Sequence, residues 1–247
     1  MHKCYFRFYE ELNDFLPLCK KKERFTHHYF DRASVKDMIE SLGVPHTEID
    51  MILVNGNSVD FSYIIKNEDE ISVYPVFESF DISDVQHLRP QPLRDPRYVI
   101  DVHLGKLAAY LRMLGFDSIY KTDFTRDDIA ALSLNEKRTI LTRDRNILKR
   151  NDVTHGYWVR NNEPEHQLYE IVKRFQLKNL IKEYTRCMLC NNLLIKADKT
   201  EIINDIPQKV AQIHNEFYQC PDCKKIYWKG SHIEEMNKKV GEVKSGR

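Results

Sequence analysis

The chain has 247 residues, 42% of them hydrophobic, and a formal net charge of +1 at pH 7. This is long enough to bury a proper core in two or three domains. No stretch approaches the roughly 18 apolar residues of a membrane span, and the polar start lacks the apolar segment of a signal peptide, so we expect a soluble, cytoplasmic protein without a membrane partner.

The near-neutral total hides an uneven distribution of charge. Residues 1–95 carry 11 Lys and Arg against 17 Asp and Glu, whereas residues 96–247 carry 27 against 20. A basic part of this kind favours a polyanionic partner.

The first 80 residues have the pattern of a small α+β domain. Strand-like segments rich in aromatic and β-branched residues flank a predicted helix that begins after Ser34 and ends at Gly43, and Asn55-Gly56 predicts a tight turn. The segments ILVNGNSVD and IIKNEDEISVYPVF resemble the ubiquitin-like β-grasp fold, in particular its sulfur-carrier branch. Carriers act through a free C-terminal Gly-Gly, which this chain lacks because it continues past residue 80, so a module that binds a protein partner is the better interpretation.

A proline-rich stretch predicts a domain boundary, and we place a linker at residues 81–96. From residue 97 to about 180 the pattern alternates between short apolar strands and amphipathic helices. The helix at 104–115, for example, keeps its leucines on one face, and Pro164 opens the last helix. This alternation predicts an α/β domain with three layers around a mostly parallel sheet.

Acidic residues follow the predicted strands of this domain. Asp101 ends the first strand, Asp123 follows the second, and Asp144 follows the third. The carboxyl ends of parallel strands share one edge of the sheet, so we expect these carboxylates to converge there. Converging carboxylates repel one another unless a hard cation such as Mg²⁺ or Mn²⁺ neutralises them, and such a site suits hydrolysis of phosphodiesters.

Each acid also has a structural interpretation. Asp127 and Asp128 open a predicted helix, where capping and the helix dipole favour acids, and Asp123 could be an ordinary turn residue. Asp101 and Asp144 are harder to explain this way because each ends a predicted core strand.

Basic residues crowd the same region and are candidates for contact with the phosphates of RNA. A charge run is usually a solvated face, but a run beside an acidic metal site is what a nuclease needs. The candidates are Arg143 and Arg145 around Asp144, with Lys106 and Arg112 on the first helix of the domain.

Two C-x-x-C pairs, separated by 29 residues, predict a zinc ribbon at residues 181–236. Four thiolates leave no open position on the ion, so the site is structural; a redox dithiol is the alternative. The ligands would be Cys187, Cys190, Cys220 and Cys223. Trp228 lies in an aromatic and basic stretch where it either stacks on RNA bases or packs the small core of the ribbon. We expect residues 237–247 to be disordered.

The segments DVHLGKLAAYLRMLGFD, ILTRDRNILKR, THGYWVR and YWKGSH, together with the cysteine pairs, resemble the Mut-seven C-terminal ribonuclease family over residues 97–235. Members combine a PIN-like nuclease domain with a zinc ribbon, and many begin with a ubiquitin-like domain. The resemblance implies cleavage of RNA at a Mg²⁺ or Mn²⁺ site, with Asp101 and Asp144 as acids. Arg126 occupies a place that is commonly acidic, so Asp123, Asp127 or Asp128 must supply the third carboxylate.

We therefore expect a metal-dependent ribonuclease with Asp101, Asp123, Asp128 and Asp144 as its candidate catalytic residues. The alternative is a non-catalytic adaptor that binds RNA through its basic part and recruits a protein through its ubiquitin-like domain.

Overall fold

The computed structural model describes residues 1–75, 88 and 96–245, and for 231–235 the backbone alone. The expected linker at 81–96 therefore lies almost entirely outside the described residues.

The chain forms two compact units, and their boundaries do not simply follow the sequence. One unit takes Met1–Arg94 together with Asp144–Trp158, and the other takes Asp95–Arg143 together with Val159–Arg247. The short segment Asp144–Trp158 thus belongs with the N-terminal unit, although in the sequence it lies inside the expected nuclease domain.

The N-terminal unit is built around a mixed five-stranded sheet with the order β2-β1-β5-β3-β4. β1 and β5 are parallel neighbours, whereas the other pairs are antiparallel. This is the β-grasp arrangement that the sequence predicts. Its elements are β1 (His2–Phe8), β2 (Phe25–Tyr29), α1 (Val35–Ser41), β3 (Ile49–Val54), β4 (Asn57–Val59) and β5 (Glu70–Pro75).

Local sequence signals explain the helix and the tight turn of this unit. The side chain of Ser34 accepts a hydrogen bond from the backbone N–H of Asp37, which confirms it as the N-cap of α1. Asn55 and Gly56 both have positive φ, at 50° and 84°, as a two-residue hairpin between β3 and β4 requires. The inner face of the sheet and α1 bury a common apolar core that includes Phe6, Ile39 and other side chains.

The nuclease part of the second unit alternates strands and helices as predicted. β6 (Arg97–Ile100) lies between β7 (Asp117–Ile119) and β8 (Thr139–Thr142), and both pairs are parallel. The next strand in the chain, β9 (Gly156–Trp158), belongs to the segment that clusters with the first unit. The helices α2 (Gly105–Met113) and α3 (Arg126–Glu136) connect β6, β7 and β8, and crossovers with the usual right-handed sense would place them on opposite faces of the sheet. The helix α4 (Pro164–Arg174) packs against α2. The three layers bring the carboxyl ends of β6 and β8 to one edge.

The ribbon part of the same unit is a three-stranded antiparallel sheet with the order β10-β11-β12. Its core is small and centres on Ile202, Ile206 and Phe217. Its elements are β10 (Ile195–Ala197), α5 (Lys199–Ile202), α6 (Gln208–Ile213), β11 (Phe217–Gln219) and β12 (Ile226–Trp228). In the stretch between the two cysteine pairs, therefore, the structure forms β10, two short helices and β11.

The expectation of a disordered tail is wrong for residues 237–245. These residues belong to a helix, α7 (Ser231–Ser245). Val240 and Val243 are buried, and Tyr169 on α4 donates a hydrogen bond to Glu242. The polar composition of the tail hides two apolar side chains spaced three residues apart, which is enough to hold one face of a helix against α4.

In the part of the chain that the structure describes, no helix is long and apolar enough to span a membrane.

Candidate active site and zinc centre

Asp101 lies where the sequence predicts it, directly after β6, and its carboxylate is buried. Only 6% of the residue is exposed. Its Oδ2 accepts hydrogen bonds from the hydroxyl of Thr142 at 2.6 Å and from the backbone N–H of Arg143 at 3.3 Å, and its Oδ1 accepts one from the N–H of His103. These donors are neutral, so they orient the carboxylate without cancelling its charge.

The other acids are less enclosed. Asp144 is half-buried, and its Oδ1 accepts a hydrogen bond from the backbone N–H of Asn146 at 2.9 Å. Asp123 is exposed on the turn after β7. Within the described residues, no three carboxylates bring ligand atoms to within 4.8 Å of one another; the group that does so consists of cysteines. That three acids share one ion remains a prediction.

Asp128 has a structural task at the start of α3. The side chain of Thr125 accepts from the backbone N–H of Asp128, while Oδ2 of Asp128 accepts from the N–H and the hydroxyl of Thr125. This capping box lowers the pKa of Asp128. The geometry accounts for the acid at this position without a catalytic role.

The expectation that Arg112 contacts RNA is wrong. Only 3% of the residue is exposed, and its donors are used inside the unit. Its Nε donates to the carbonyl of Ser118, and Nη1 donates to the carbonyls of Met188 and Leu189. Burial lowers the pKa of Arg112, but a guanidinium keeps its proton in proteins. Arg112 therefore holds the first cysteine pair against the nuclease part.

The remaining basic candidates differ in how they are placed. Lys106 is exposed on α2 and is free to reach a phosphate. Arg143 is half-buried, and its Nη1 donates to the carbonyls of Arg160 and Asn161, so it supports the loop before α4. Arg145 belongs to the N-terminal unit, where its guanidinium lies 3.8 Å from the ring centroid of Trp158. Contact of these three side chains with RNA stays a prediction.

The four predicted cysteines come together in the second unit. Their sulfur atoms all lie within 4.8 Å of one another, with 3.5 Å between Cys187 and Cys223 and 3.3 Å between Cys190 and Cys220. Four thiolates around one centre form the closed tetrahedral site that zinc occupies in structural positions. The residues present thus fit a zinc ion.

The two cysteine pairs share one backbone geometry. In each pair the residue after the second cysteine has positive φ, 75° at Asn191 and 60° at Lys224. Its N–H donates to the carbonyl of the first cysteine, and the N–H of the first cysteine donates to the carbonyl one residue further on, at Asn192 or Lys225. This turn aims both sulfur atoms of a pair in the same direction.

Tyr227 supports the cysteine centre from the side. Its hydroxyl lies 3.2 Å from Sγ of Cys187 and accepts a hydrogen bond from the backbone N–H of Met188. Burial would raise the pKa of Cys187, but hydrogen bonds, first among them the one from Tyr227, lower it to about 7. Burial raises the pKa of Cys190. Cysteine binds a metal as the thiolate, so a bound ion would favour the deprotonated form of all four side chains.

Trp228 packs in the ribbon core. It contacts the cluster of Ile202, Ile206 and Phe217, with its ring centroid 6.5 Å from that of Phe217. The packing interpretation is therefore correct for at least part of the ring, while stacking on RNA stays untested. Tyr218 on β11 is 38% exposed and is better placed for a base to stack on.

One functional-looking acid was missed from the sequence. Asp117, at the start of β7, pairs with Arg138 at 2.6 Å, lies 3.6 Å from Arg186, and accepts a hydrogen bond from Asn191 at 2.8 Å. Burial alone would raise the pKa of Asp117, but these partners lower it. Because Asn191 and Arg186 flank the first cysteine pair, this network ties the ribbon to the nuclease sheet. The position of Asp117 at the start of a strand does not predict that it links the ribbon to the sheet.

These features define a class of protein: a β-grasp domain joined to a three-layer α/β domain with a cysteine-rich ribbon. The chain belongs to the Mut7-C RNAse domain family, whose model matches residues 96–240, and the model of the Mut7-C ubiquitin domain matches residues 1–81. Neither the curated proteins nor the solved structures gave a match to this chain. The family assigns residues 96–240 a ribonuclease-type function, with RNA as the substrate class.

Proposed function

We propose that the chain is a metal-dependent ribonuclease whose active site is built on Asp101. The observation that carries the proposal is a buried carboxylate at the carboxyl end of β6, held by the hydroxyl of Thr142 and two backbone N–H groups. A buried charge held by neutral donors is costly unless a cation balances it. A hard divalent cation at this edge of the sheet supplies that balance.

The oxygen donors around Asp101 suit Mg²⁺ or Mn²⁺. Mg²⁺ is commonly bound by one or two carboxylates, with waters and substrate phosphates completing its shell, so three preassembled carboxylates are not required. Asp144 follows Thr142 by only two residues, and Asp123 follows β7, which lies beside β6. We assign Asp101 and Asp144 as ligands, with Asp123 as the third acid because Asp128 is engaged in capping.

A divalent ion held there would lower the pKa of a bound water and neutralise charge on the scissile phosphate. The chain's own residues do the rest. Thr142 fixes the direction of the Asp101 carboxylate, and Lys106, with Arg143 and Arg145, holds the RNA backbone. Trp228 and the neighbouring ribbon surface add contacts to single-stranded RNA.

Cleavage of a single-stranded RNA in Mn²⁺ tests this function. Asp101→Asn and Asp144→Asn should each lower kcat by about 100-fold, because several kcal/mol of transition-state stabilisation come from a bound ion. Asp205→Asn, an exposed acid in the ribbon, is the matched control and should cleave normally. Equal cleavage by wild-type protein and the Asp101→Asn, Asp144→Asn double variant would refute the proposal.

The second candidate function is an RNA-binding adaptor without catalysis. It is favoured by the absence of three clustered carboxylates among the described residues and by Arg126 at the exposed start of α3. RNA binding that persists in EDTA, together with no cleavage in Mn²⁺ or Mg²⁺, would identify an adaptor. In either case the ubiquitin-like unit offers a surface for a protein partner, and the free cysteines suit the reducing conditions of the cytoplasm.

A further inference from the structure

The turn that follows Asp101 is fastened from the neighbouring strand β7. Tyr120 is the first residue after β7, and its hydroxyl donates a hydrogen bond to the carbonyl of Val102 at 3.1 Å. Val102 comes directly after Asp101 and opens a short 3-10 turn, Val102–Leu104, that leads into α2. The hydroxyl of Tyr120 therefore holds the chain one residue beyond the buried carboxylate.

Asp101 and this turn form one hydrogen-bonded piece. The backbone N–H of His103 donates to Oδ1 of Asp101, and the N–H of Leu104 donates to the Asp101 carbonyl at 2.9 Å. The strand β6 lies between β8 and β7, so this piece is held from both sides. The hydroxyl of Thr142, on β8, fixes the carboxylate, and the hydroxyl of Tyr120 fixes the turn from the side of β7.

Gly105, the first residue of α2, leaves room for the ring of Tyr120. A Cβ on Gly105 would lie 2.7 Å from the hydroxyl oxygen of Tyr120 and 2.9 Å from its Cζ. Carbon atoms without a bond between them pack at about 3.5–4.0 Å, so a side chain at this position would push the ring away. The φ of Gly105 is −58°, an ordinary helical value. The need for glycine therefore comes from Tyr120 and not from the backbone.

The loop that leaves β7 carries a second acid of the proposed site. Asp123 follows Tyr120 by three residues, and the far end of the loop is fixed at Thr125 by the capping box of α3. The near end starts at Tyr120, which is bonded to the turn after Asp101. One hydrogen bond thus joins the two segments that carry Asp101 and Asp123.

We propose that Tyr120 is a positioning residue of the active site, which sets the location of Asp101 relative to Asp123, and that Gly105 is required because it admits the Tyr120 ring. The inference rests on the proposed function, in which both carboxylates bind a divalent cation. In this role Tyr120 acts through the backbone of Val102. Groups that hold metal ligands in place in this way contribute to the affinity for the metal without binding it.

The variant Gly105→Ala tests the proposal without removing any hydrogen-bonding group. The added methyl group displaces the ring, so the hydrogen bond to Val102 is lost. Alanine is a better helix former than glycine, so the fold should be retained. Gly241→Ala is the matched control, because Gly241 lies in the helix α7, where an added Cβ meets open space among the described residues.

Two variants of Tyr120 complete the set. Tyr120→Phe removes the hydroxyl alone and carries the test if Gly105→Ala does not fold. Its control is Tyr169→Phe, which removes the hydroxyl that donates to Glu242 in the same unit. Tyr120→Leu removes the ring with which the methyl group of Gly105→Ala collides. Changes that act through one contact are not additive, so Gly105→Ala should have little further effect in a protein that already carries Tyr120→Leu.

Three measurements separate positioning from general stability. Binding of Mn²⁺ that Asp101→Asn abolishes, followed by electron paramagnetic resonance, should weaken by about ten-fold in Gly105→Ala and Tyr120→Leu, and by less in Tyr120→Phe. The kcat for RNA cleavage should fall by a similar factor while KM stays unchanged, because a small misplacement of catalytic groups is costly. The midpoint of thermal unfolding of Gly105→Ala should not fall below the wild-type value. Both controls should keep wild-type affinity and kcat.

The outcomes distinguish this inference from the proposed function. Wild-type Mn²⁺ affinity and kcat in Gly105→Ala and Tyr120→Phe would overturn the positioning role and leave the nuclease standing. A further ten-fold loss when Gly105→Ala is added to Tyr120→Leu would also overturn it, because Gly105 would then act without Tyr120. If wild-type protein shows no Mn²⁺ binding that depends on Asp101 and cleaves no RNA, the proposed function is lost, and the positioning role is lost with it.

Discussion

The Nη1 atom of Arg112 donates a 2.7 Å hydrogen bond to the carbonyl of Leu189, inside the turn between Cys187 and Cys190. A buried cation from α2 thus satisfies the backbone of the first cysteine pair. The carbonyl groups of such turns are otherwise left without partners when they are buried. The nuclease part and the ribbon are consequently coupled through the ordering of the metal site.

Arg112→Met should therefore destabilise the second unit and weaken its hold on zinc. The change leaves three carbonyl groups without a donor, so we expect a loss of about 2 kcal/mol in the free energy of unfolding. Competition with a chromogenic chelator should show zinc affinity lower by about ten-fold, as for other residues that support metal ligands. Lys106→Met, an exposed cation on the same helix, is the control for stability. Equal unfolding curves for Arg112→Met and wild type would contradict the coupling.

Loss of one cysteine ligand should release the ion. Cys220→Ser removes a buried thiolate, so zinc measured by mass spectrometry of the metal should fall from one ion per chain to nearly none. Thermal unfolding should begin at a lower temperature, because β11 and β12 flank the second cysteine pair. Cys19→Ser changes an exposed cysteine outside the centre and should keep the full zinc content. A full zinc content in Cys220→Ser would mean that the ion binds elsewhere.

The Asp117 network predicts how stability depends on acid. Because the folded pKa of Asp117 lies below its usual value of 3.8, its contribution is complete above that pH and is lost as the pH falls through the folded value. Asp117→Asn should cost about 2 kcal/mol at neutral pH. The difference from wild type should shrink in urea titrations below pH 3.8. A difference that is constant down to acid pH would show that the ion pairs with Arg138 and Arg186 contribute nothing.

Sequence patterns within a few neighbouring residues predicted most of the local structure. The leucines of α2 are buried as expected, and Gly115 ends that helix with φ at 92°, where a Cβ would lie 2.2 Å from the carbonyl of Lys182. Pro164 opens α4, and the cysteine pairs converge. In each case the cause lies within a few neighbouring residues: helical periodicity, a capping residue or a turn that only certain residues adopt.

Contacts between distant residues were not visible in the sequence. The apolar pattern of α2 predicts which face is buried, but it does not predict that Arg112 is buried as well. The carbonyl groups that accept hydrogen bonds from its Nη1 lie 76 and 77 positions away in the sequence. Likewise, Glu48 and Trp158 are 110 positions apart, and each alone resembles an ordinary surface acid or core aromatic. Polar side chains become informative once their partners are known, because the same group is exposed in one setting and bonded in another.

The hydrogen bond from Thr142 to Asp101 makes the sharpest test of the active site. Thr142→Val keeps the shape of a fully buried side chain but removes the hydroxyl that donates to Oδ2 of Asp101 at 2.6 Å. We expect kcat for RNA cleavage to fall by about ten-fold, with KM little changed, because the carboxylate loses its fixed direction. Thr142→Ser retains the hydroxyl and should restore most of the activity, although it leaves a small cavity. If Thr142→Val and Thr142→Ser were equally active, the orientation of Asp101 would not limit the reaction; if both were equally impaired, the methyl group and its packing would be the cause.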